Sequence, residues 1–288
     1  MRRIKWISGA FAILGGLLAI FFVLRSENAL LTHPKGMIAQ SELKLIAINY
    51  LLMFIVIIPT FIFLFITVWK YSVRNSDQND LKDRDFGKKV PQLLLWIIPC
   101  PVIAVMIVIT WKAAHKLDPY EPIKREVNPL TIQVVALDWK WLFLYPEQGI
   151  ATLNFVQFPA GTPVHFELAA DGSPMNSFWI PQLSGQIYSM TGMTTHLHVM
   201  ADESGIYSGR AAEINGEVFA DMTFVAKSTS QLDFDDWINH VKQSPLQLTE
   251  GIYNELTKPS LKHPITLYSY VEKDLFNKII MKYMHSMH

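Results

Sequence analysis

LIAINYLLMFIVIIPTFIFLFITVW, residues 45–69, contains no charged side chain. At about 1.5 Å rise per residue its roughly 25 residues span about 37 Å, enough to cross a hydrocarbon core of roughly 30 Å with some tilt. A second uncharged run, Pro91 to Trp111, follows. Trp69, Tyr71 and Trp111 stand at the ends of these runs, where amphipathic rings favour the membrane interface. Pro59, Pro99 and Pro101 imply kinks, tolerable where neighbouring groups satisfy the freed carbonyls. These features predict two membrane helices, about 45–69 and 91–111, in a hairpin over 28–112. Two buried helices of a soluble protein would not be divided by a loop as basic as the one between them.

That loop, 70–89, carries Lys70, Arg74, Lys82, Arg84, Lys88 and Lys89. Excess lysine and arginine marks the cytoplasmic side. Everything after Trp111 is therefore expected outside the cytoplasm, in the periplasm of a bacterial cell. Upstream, Arg2, Arg3 and Lys5 precede an apolar stretch from Trp6 to Leu24. Residues 1–27 read as a signal peptide or a signal-anchor helix. Neither long run carries Asp, Glu, Lys, Arg or His in its interior, so an intramembrane proton relay or haem ligand is not expected on this chain.

Composition agrees with a membrane protein. Half of the 288 residues are apolar, 17% are charged, and 25 basic residues balance 25 acidic ones. Nothing in that balance suggests a nucleic-acid partner. Cys100 is the one cysteine and lies inside the second apolar run. One thiol makes no internal disulfide and no CxxC site.

From Leu130 the texture changes. Thr131–Val135 alternates, and Trp139-Lys140-Trp141-Leu142-Phe143 sets two indoles two residues apart. Further β-rich runs fall at Thr152–Phe158, Pro163–Leu168, Ser177–Ile180, Thr194–Met200 and Asp221–Ala226, punctuated by glycines. Residues 113–227 read as an all-β sandwich or barrel. Beyond Lys227, Leu232–Lys242 and Glu272–Tyr283 carry apolar residues at helical spacing, so 228–288 reads as a helical C-terminal extension.

Asp138-Trp139-Lys140-Trp141, Tyr145-Pro146-Glu147-Gln148-Gly149 and Met175-Asn176-Ser177-Phe178-Trp179-Ile180-Pro181, behind a two-helix hairpin, resemble subunit II of the haem–copper respiratory oxidases. The resemblance runs from about Asn28 to the C-terminus. It is strongest to the bo-type ubiquinol oxidase form, down to Ala29-Leu30-Leu31, Pro34-Lys35-Gly36 and the C-terminal extension. It implies a cupredoxin-like periplasmic domain, a large haem-bearing subunit I and other oxidase subunits as partners, and contact with membrane lipid. Relatives carry a lipid-modified cysteine near the position of Ser26, where this chain has none. Lipoprotein processing is therefore not expected.

Relatives that oxidise cytochrome c hold a dinuclear copper centre in this domain. Its pattern is a histidine followed, about 35 residues on, by Cys-x3-Cys-x3-His-x2-Met, because bridging thiolates and imidazoles suit copper. Here the first histidine position is Asn176, the cysteine positions are Ala211 and Asn215, and the second histidine position is Phe219. Glu213 and Met222 keep the family residues. A centre bridged by two thiolates cannot be assembled from a chain whose one cysteine lies in an apolar run. The resemblance then implies a quinol oxidase subunit with no catalytic, cofactor or metal site of its own. Haems, copper and the quinol pocket are expected on subunit I.

Several side chains have a structural reading beside a functional one. Trp139 matches an aromatic that copper-bearing relatives use to receive electrons; without copper it reads as packing, as does Trp141. His196 and His198 share one strand face, as metal ligands could, although surface histidines on strands are common. Met281, Met284, His285, Met287 and His288 offer thioether and imidazole donors, and an amphipathic helix end accounts for them equally well. Gln92 stands where the family has a glutamate at the mouth of a proton channel; either Asp83 or Asp85 substitutes, which is the expectation, or proton entry does not use this subunit. The alternative function is a stand-alone membrane-tethered cupredoxin-like module for binding or assembly. Asn49, Thr60, Thr67 and Ala104, weakly polar or small, are where a partner helix would be expected to pack.

Overall fold

The computed structural model describes residues 30–70, 96–97, 99–172, 175–216, 218–260 and 263–284. They divide into two compact units, one of residues 44–118 and one of those before 44 together with 119 onward. The N-terminal segment 1–27, the basic loop, Gln92, Asp83 and Asp85 lie outside the described residues, as do His285, Met287 and His288.

Helix α1 spans Met37–Lys70 and α2 spans Pro99–Lys116. Among the described residues one helix, Met37–Val68, is long and apolar enough to cross a membrane, and its apolar window is buried nowhere. α1 begins at Met37 rather than near residue 45. A charge-free run marks the apolar stretch of a helix rather than its ends, and Gln40-Ser41-Glu42 continues the helix into polar sequence. α2 likewise runs past Trp111 to Lys116, so residues 113–116 are helical rather than part of the β domain. Thr60 and Thr67 donate to the carbonyls of Val56 and Phe63, at 2.7 and 2.8 Å. Their hydroxyls are satisfied within the helix and require no neighbouring helix.

The β domain is a sandwich. Its strands are β1 (Leu130–Leu137), β2 (Lys140–Tyr145), β3 (Ile150–Leu153), β4 (Phe155–Pro159), β5 (Val164–Ala170), β6 (Met175–Trp179), β7 (Ile187–Met190), β8 (Thr195–Val199), β9 (Gly205–Ala211), β10 (Thr223–Thr229) and β11 (Thr266–Tyr268). One sheet has the order β11-β3-β2-β1-β5-β8 and the other β4-β10-β9-β6-β7. Pairing is antiparallel except for β1 with β5 and β4 with β10. Trp141, Phe143, Phe166, Phe178 and Phe224 meet between the sheets. The Phe178 and Phe224 rings stack at 5.0 Å.

Around β1 and β2 the first sheet is buried on both faces. Val134, Ala136, Trp141 and Phe143 face the inter-sheet core, whereas Val135, Leu137, Leu142 and Leu144 face a second cluster on the outer side. Double burial explains why β1 and β2 read as nearly continuous apolar runs. The C-terminal extension comprises α3 (Gln231–Val241), α4 (Glu250–Leu256), β11 and α5 (Leu275–Met284); α3 turns Phe234, Ile238 and Val241 into the first cluster, and the rest forms the outer cover. α4, α5 and β11 supply Tyr253, Leu256, Tyr268, Leu275, Phe276 and Ile279 to that second cluster.

Three expectations need correction. The extension is not wholly helical: β11 pairs antiparallel with β3 and completes the edge of the six-stranded sheet. Thr152–Phe158 is not one strand. Asn154 has a left-handed φ of 55° and breaks it into β3 and β4, which belong to different sheets. An asparagine adopts this backbone more readily than most residues. Its carboxamide is held by Trp141 N–H, which donates to Oδ1 at 2.9 Å, while its Nδ2 donates to the carbonyl of His263 at 2.8 Å. Finally, Trp139 lies outside the strands, in the two-residue turn joining β1 to β2, with φ 59°.

Two polar clasps fasten the extension. Lys140, buried in β2, donates to the carbonyl of Lys258 at 2.8 Å and to Ser260 Oγ at 2.6 Å. Burial lowers its pKa, partly countered by the charge of Asp138. Asp171, 1% exposed just past β5, accepts from Tyr253 Oη at 2.6 Å, Tyr283 Oη at 2.5 Å and Lys282 Nζ at 2.8 Å. Burial alone would raise its pKa; the hydrogen bonds from Lys282, Tyr253 and Tyr283, with the Lys282 charge, outweigh burial and hold it below the usual value.

Candidate functional site

β6, the end of β9 and the loop leading into β10 converge at one end of the five-stranded sheet. Asn176 is fully buried in β6, opposite Ser189 of β7. Ser189 Oγ donates to the Asn176 carbonyl at 3.1 Å. Ala211 ends β9 beside Phe178, and its N–H donates to the carbonyl of Met222 at 2.9 Å. The next residue, Ala212, donates to the Ser177 carbonyl at 3.0 Å. These backbone bonds anchor both ends of the loop 212–222.

Asn215 sits within that loop. Its Nδ2 donates to Asn176 Oδ1 and lies 3.5 Å from Met222 Sδ. The structure therefore brings Asn176 of β6 against Asn215 and Met222, which lie 39 or more residues further along the chain. Ala211 adjoins them through the backbone bond to Met222. Phe219 is half-buried in the short 3-10 turn Phe219–Asp221, with its carbonyl accepting from the Met222 N–H at 3.1 Å. Asn176 Nδ2, Asn215 Oδ1 and Glu213 Oε2 are buried without a hydrogen-bond partner. Carboxamide oxygens, a carboxylate and a thioether are a poor substitute for thiolate and imidazole as copper ligands.

The two tryptophans separate here. Trp141 is completely buried, edge-on to Phe178 and Phe224, and its Nε1 lies 3.4 Å from the Met222 carbonyl. Trp139 is half-buried and packs on Gly216, where an added Cβ would stand 3.3 Å from the indole. A tryptophan with positive φ carries steric strain of about 1–2 kcal/mol, so packing on the loop has to hold it there.

His196 and His198 do share a face of β8, and His165, which sequence reading passed over, joins them from β5. Register alone would have found it, since His165 stands opposite His198 and Glu167 opposite His196. His165 Nε2 is 3.0 Å from His196 Nδ1, and the rings of His165 and His198 stack at 4.5 Å. Burial and the neighbouring imidazoles push His198 down to about 4. Burial also lowers His165, with Glu167 opposing. Met281 and Met284 lie on the exposed side of α5, away from this group in sequence and element.

Comparison with known proteins places the chain. A family model, the COX Aromatic Rich Motif, matches residues 242–287, the extension that covers the outer sheet face. Cytochrome bo(3) ubiquinol oxidase subunit 2 of Pseudomonas aeruginosa is 45% identical over 282 residues, covering 98% of this chain and 82% of its own. Ubiquinol oxidase subunit 2 of Acetobacter aceti is 40% identical over 278 residues, covering 96% and 89%. Among solved structures, the periplasmic domain of subunit II of cytochrome oxidase of Bradyrhizobium japonicum overlaps 42% of this chain and 96% of its own at 18% identity and a TM-score of 0.39, too loose a likeness to carry an argument. With that identity sustained from end to end, the chain belongs to the quinol oxidase subunit 2 family.

Proposed function

We propose that this chain is the membrane-anchored subunit II of a proton-pumping terminal quinol oxidase, which couples quinol oxidation to the reduction of oxygen to water. Within it the chain has a structural and assembly role and holds no redox centre. The observation that carries this reading is the amide pair Asn176–Asn215 beside Met222, standing where the copper-bearing forms of the resembled family place their ligands. Side-chain amides joined to each other leave no thiolate to bridge two copper ions, and Cys100 belongs to α2. Electrons from a soluble cytochrome then have no copper port on this chain. A lipid-soluble quinol, oxidised within subunit I, fits that arrangement.

In this reading α1 and the segment ending in α2 form a two-pass hairpin in the bacterial inner membrane. The loop 70–89 is cytoplasmic and the cupredoxin-like sandwich is periplasmic. The apolar face of α1 packs on lipid and on subunit I, where the haems and the oxygen-reducing copper reside. Gln92 cannot collect protons as a carboxylate does, so Asp83 or Asp85 serves any proton uptake that involves this subunit.

The test is gentle purification of the tagged chain from its native membranes, followed by a reduced-minus-oxidised visible spectrum and haem quantitation. Stoichiometric haem and quinol-dependent oxygen uptake are expected. A pure chain without haem, under conditions that keep membrane complexes intact, overturns the assignment. Replacing Asp83 and Asp85 together should slow proton-coupled turnover, and unchanged turnover removes them from the pathway.

A further inference from the structure

The outer face of the six-stranded sheet carries a four-residue square that the oxidase reading does not use. His165 and Glu167 are two apart on β5, and His196 and His198 are two apart on β8, so each pair points to one side of the sheet. Phe166 and Leu197, the residues between, enter the inter-sheet core. Antiparallel register sets His165 against His198 and Glu167 against His196. The diagonal pair, His165 Nε2 and His196 Nδ1, is 3.0 Å apart. One ligand atom from each of His165, Glu167 and His196 lies within 4.8 Å of the others.

We propose that His165, His196 and Glu167 form a binding site for one zinc(II) ion. Tetrahedral zinc with bonds of about 2.1 Å separates its donors by roughly 3.4 Å, so the imidazole nitrogens need to part by only a few tenths of an ångström and the carboxylate to swing inward. Two imidazoles and a carboxylate are an established donor set for zinc, leaving a fourth position for water. The surroundings orient the donors. Gln133 Nε2 donates to Glu167 Oε2 at 3.0 Å, which leaves the other carboxylate oxygen to turn toward the histidines. His198 stacks on His165 with planes 8° apart, and the Tyr120 ring stands edge-on to His196 at 5.6 Å. All three donors are half-buried, reachable by an ion yet held by their neighbours. β8 is the edge of its sheet, and a bound ion would tie it to β5 through side chains as well as through the ladder.

The experiment is equilibrium dialysis of the full chain in detergent against zinc(II) at neutral pH, beside His165→Gln, His196→Gln, Glu167→Gln and a chain with His285 and His288 changed to Gln. One equivalent bound at micromolar affinity or tighter is expected, with at least tenfold weakening in each of the two histidine variants at 165 and 196. Glu167→Gln should weaken binding less, and the tail variant should bind as the parent does. X-ray absorption of the zinc-loaded parent should show two imidazoles among its ligands, a readout independent of whether the variants fold. Absence of saturable uptake, uptake abolished by the tail variant alone, or a spectrum without imidazole ligands overturns the site.

Discussion

At the scale of single residues, buried polar groups do more than the aromatic ones that draw the eye in the sequence. Asp171 collects three donors from the C-terminal extension while 1% exposed. Replacing it with Asn removes the charge and spoils the acceptor geometry, which should lower stability by about 1–3 kcal/mol in denaturant titrations. Its pKa in the folded chain is below the unfolded value of about 3.9. Its contribution is therefore complete above that value and is lost as pH falls through the folded pKa. Asp171→Asn should consequently flatten the acid limb of the stability profile, and an unchanged limb would show that the clasp is not what acid breaks. Gly209 poses the opposite problem. It faces Phe224 across the β9–β10 pair, and an added Cβ would stand 2.0 Å from the nearest carbon of that ring. Since Phe224 is stacked on Phe178, it has little room to move, and Gly209→Ala should cost about 1–3 kcal/mol of overpacking.

Among the elements, the extension is not an appendage but the outer layer of the sandwich. Its apolar residues cover Val135, Leu137, Leu142 and Leu144, which no other described element shields. Ending the chain near residue 242 should therefore expose that face and yield aggregated protein, whereas removal of the last four residues should not; size-exclusion profiles in detergent distinguish the two. α3 is capped at its N-terminus by Ser230, whose Oγ accepts from the Asp233 N–H. Ser230→Ala should cost about 1 kcal/mol. The sequence made some of this readable. Alternation and glycine spacing marked β1, β2, β5 and β8, and helical spacing marked α3 and α5. Asn154 hid the break between β3 and β4, because a left-handed turn by asparagine leaves the surrounding β-branched run unbroken. β11 was missed because three residues after Pro264 become a strand only by pairing with β3. At the candidate site, the Asn176–Asn215–Met222 grouping was foreshadowed by the family resemblance, whose ligand pattern falls on these positions. The partnership of His165 with His196 was not, since register between strands about 30 residues apart is a tertiary property.

On the scale of the whole molecule, two facts bear on one question, where the metal of such an oxidase resides. The chain belongs to the quinol oxidase subunit 2 family over nearly its full length. Its cradle at the end of the five-stranded sheet is knitted by amides, with Met222 as the single soft donor near Asn215. If the cradle only packs, then Asn215→Ala and Met222→Leu change what fills space there and nothing about metal. Met222 is fully buried, so Met222→Leu, nearly equal in volume, should cost less than about 1.5 kcal/mol. Asn215→Ala removes a donor to Asn176 and should cost about 1–2 kcal/mol. In the purified complex both variants should keep the parent's copper-to-haem ratio and its quinol-driven oxygen uptake within twofold. A fall in copper that tracks either substitution, with haem unchanged and the complex intact, would instead mean that the cradle holds metal and that this subunit carries electrons.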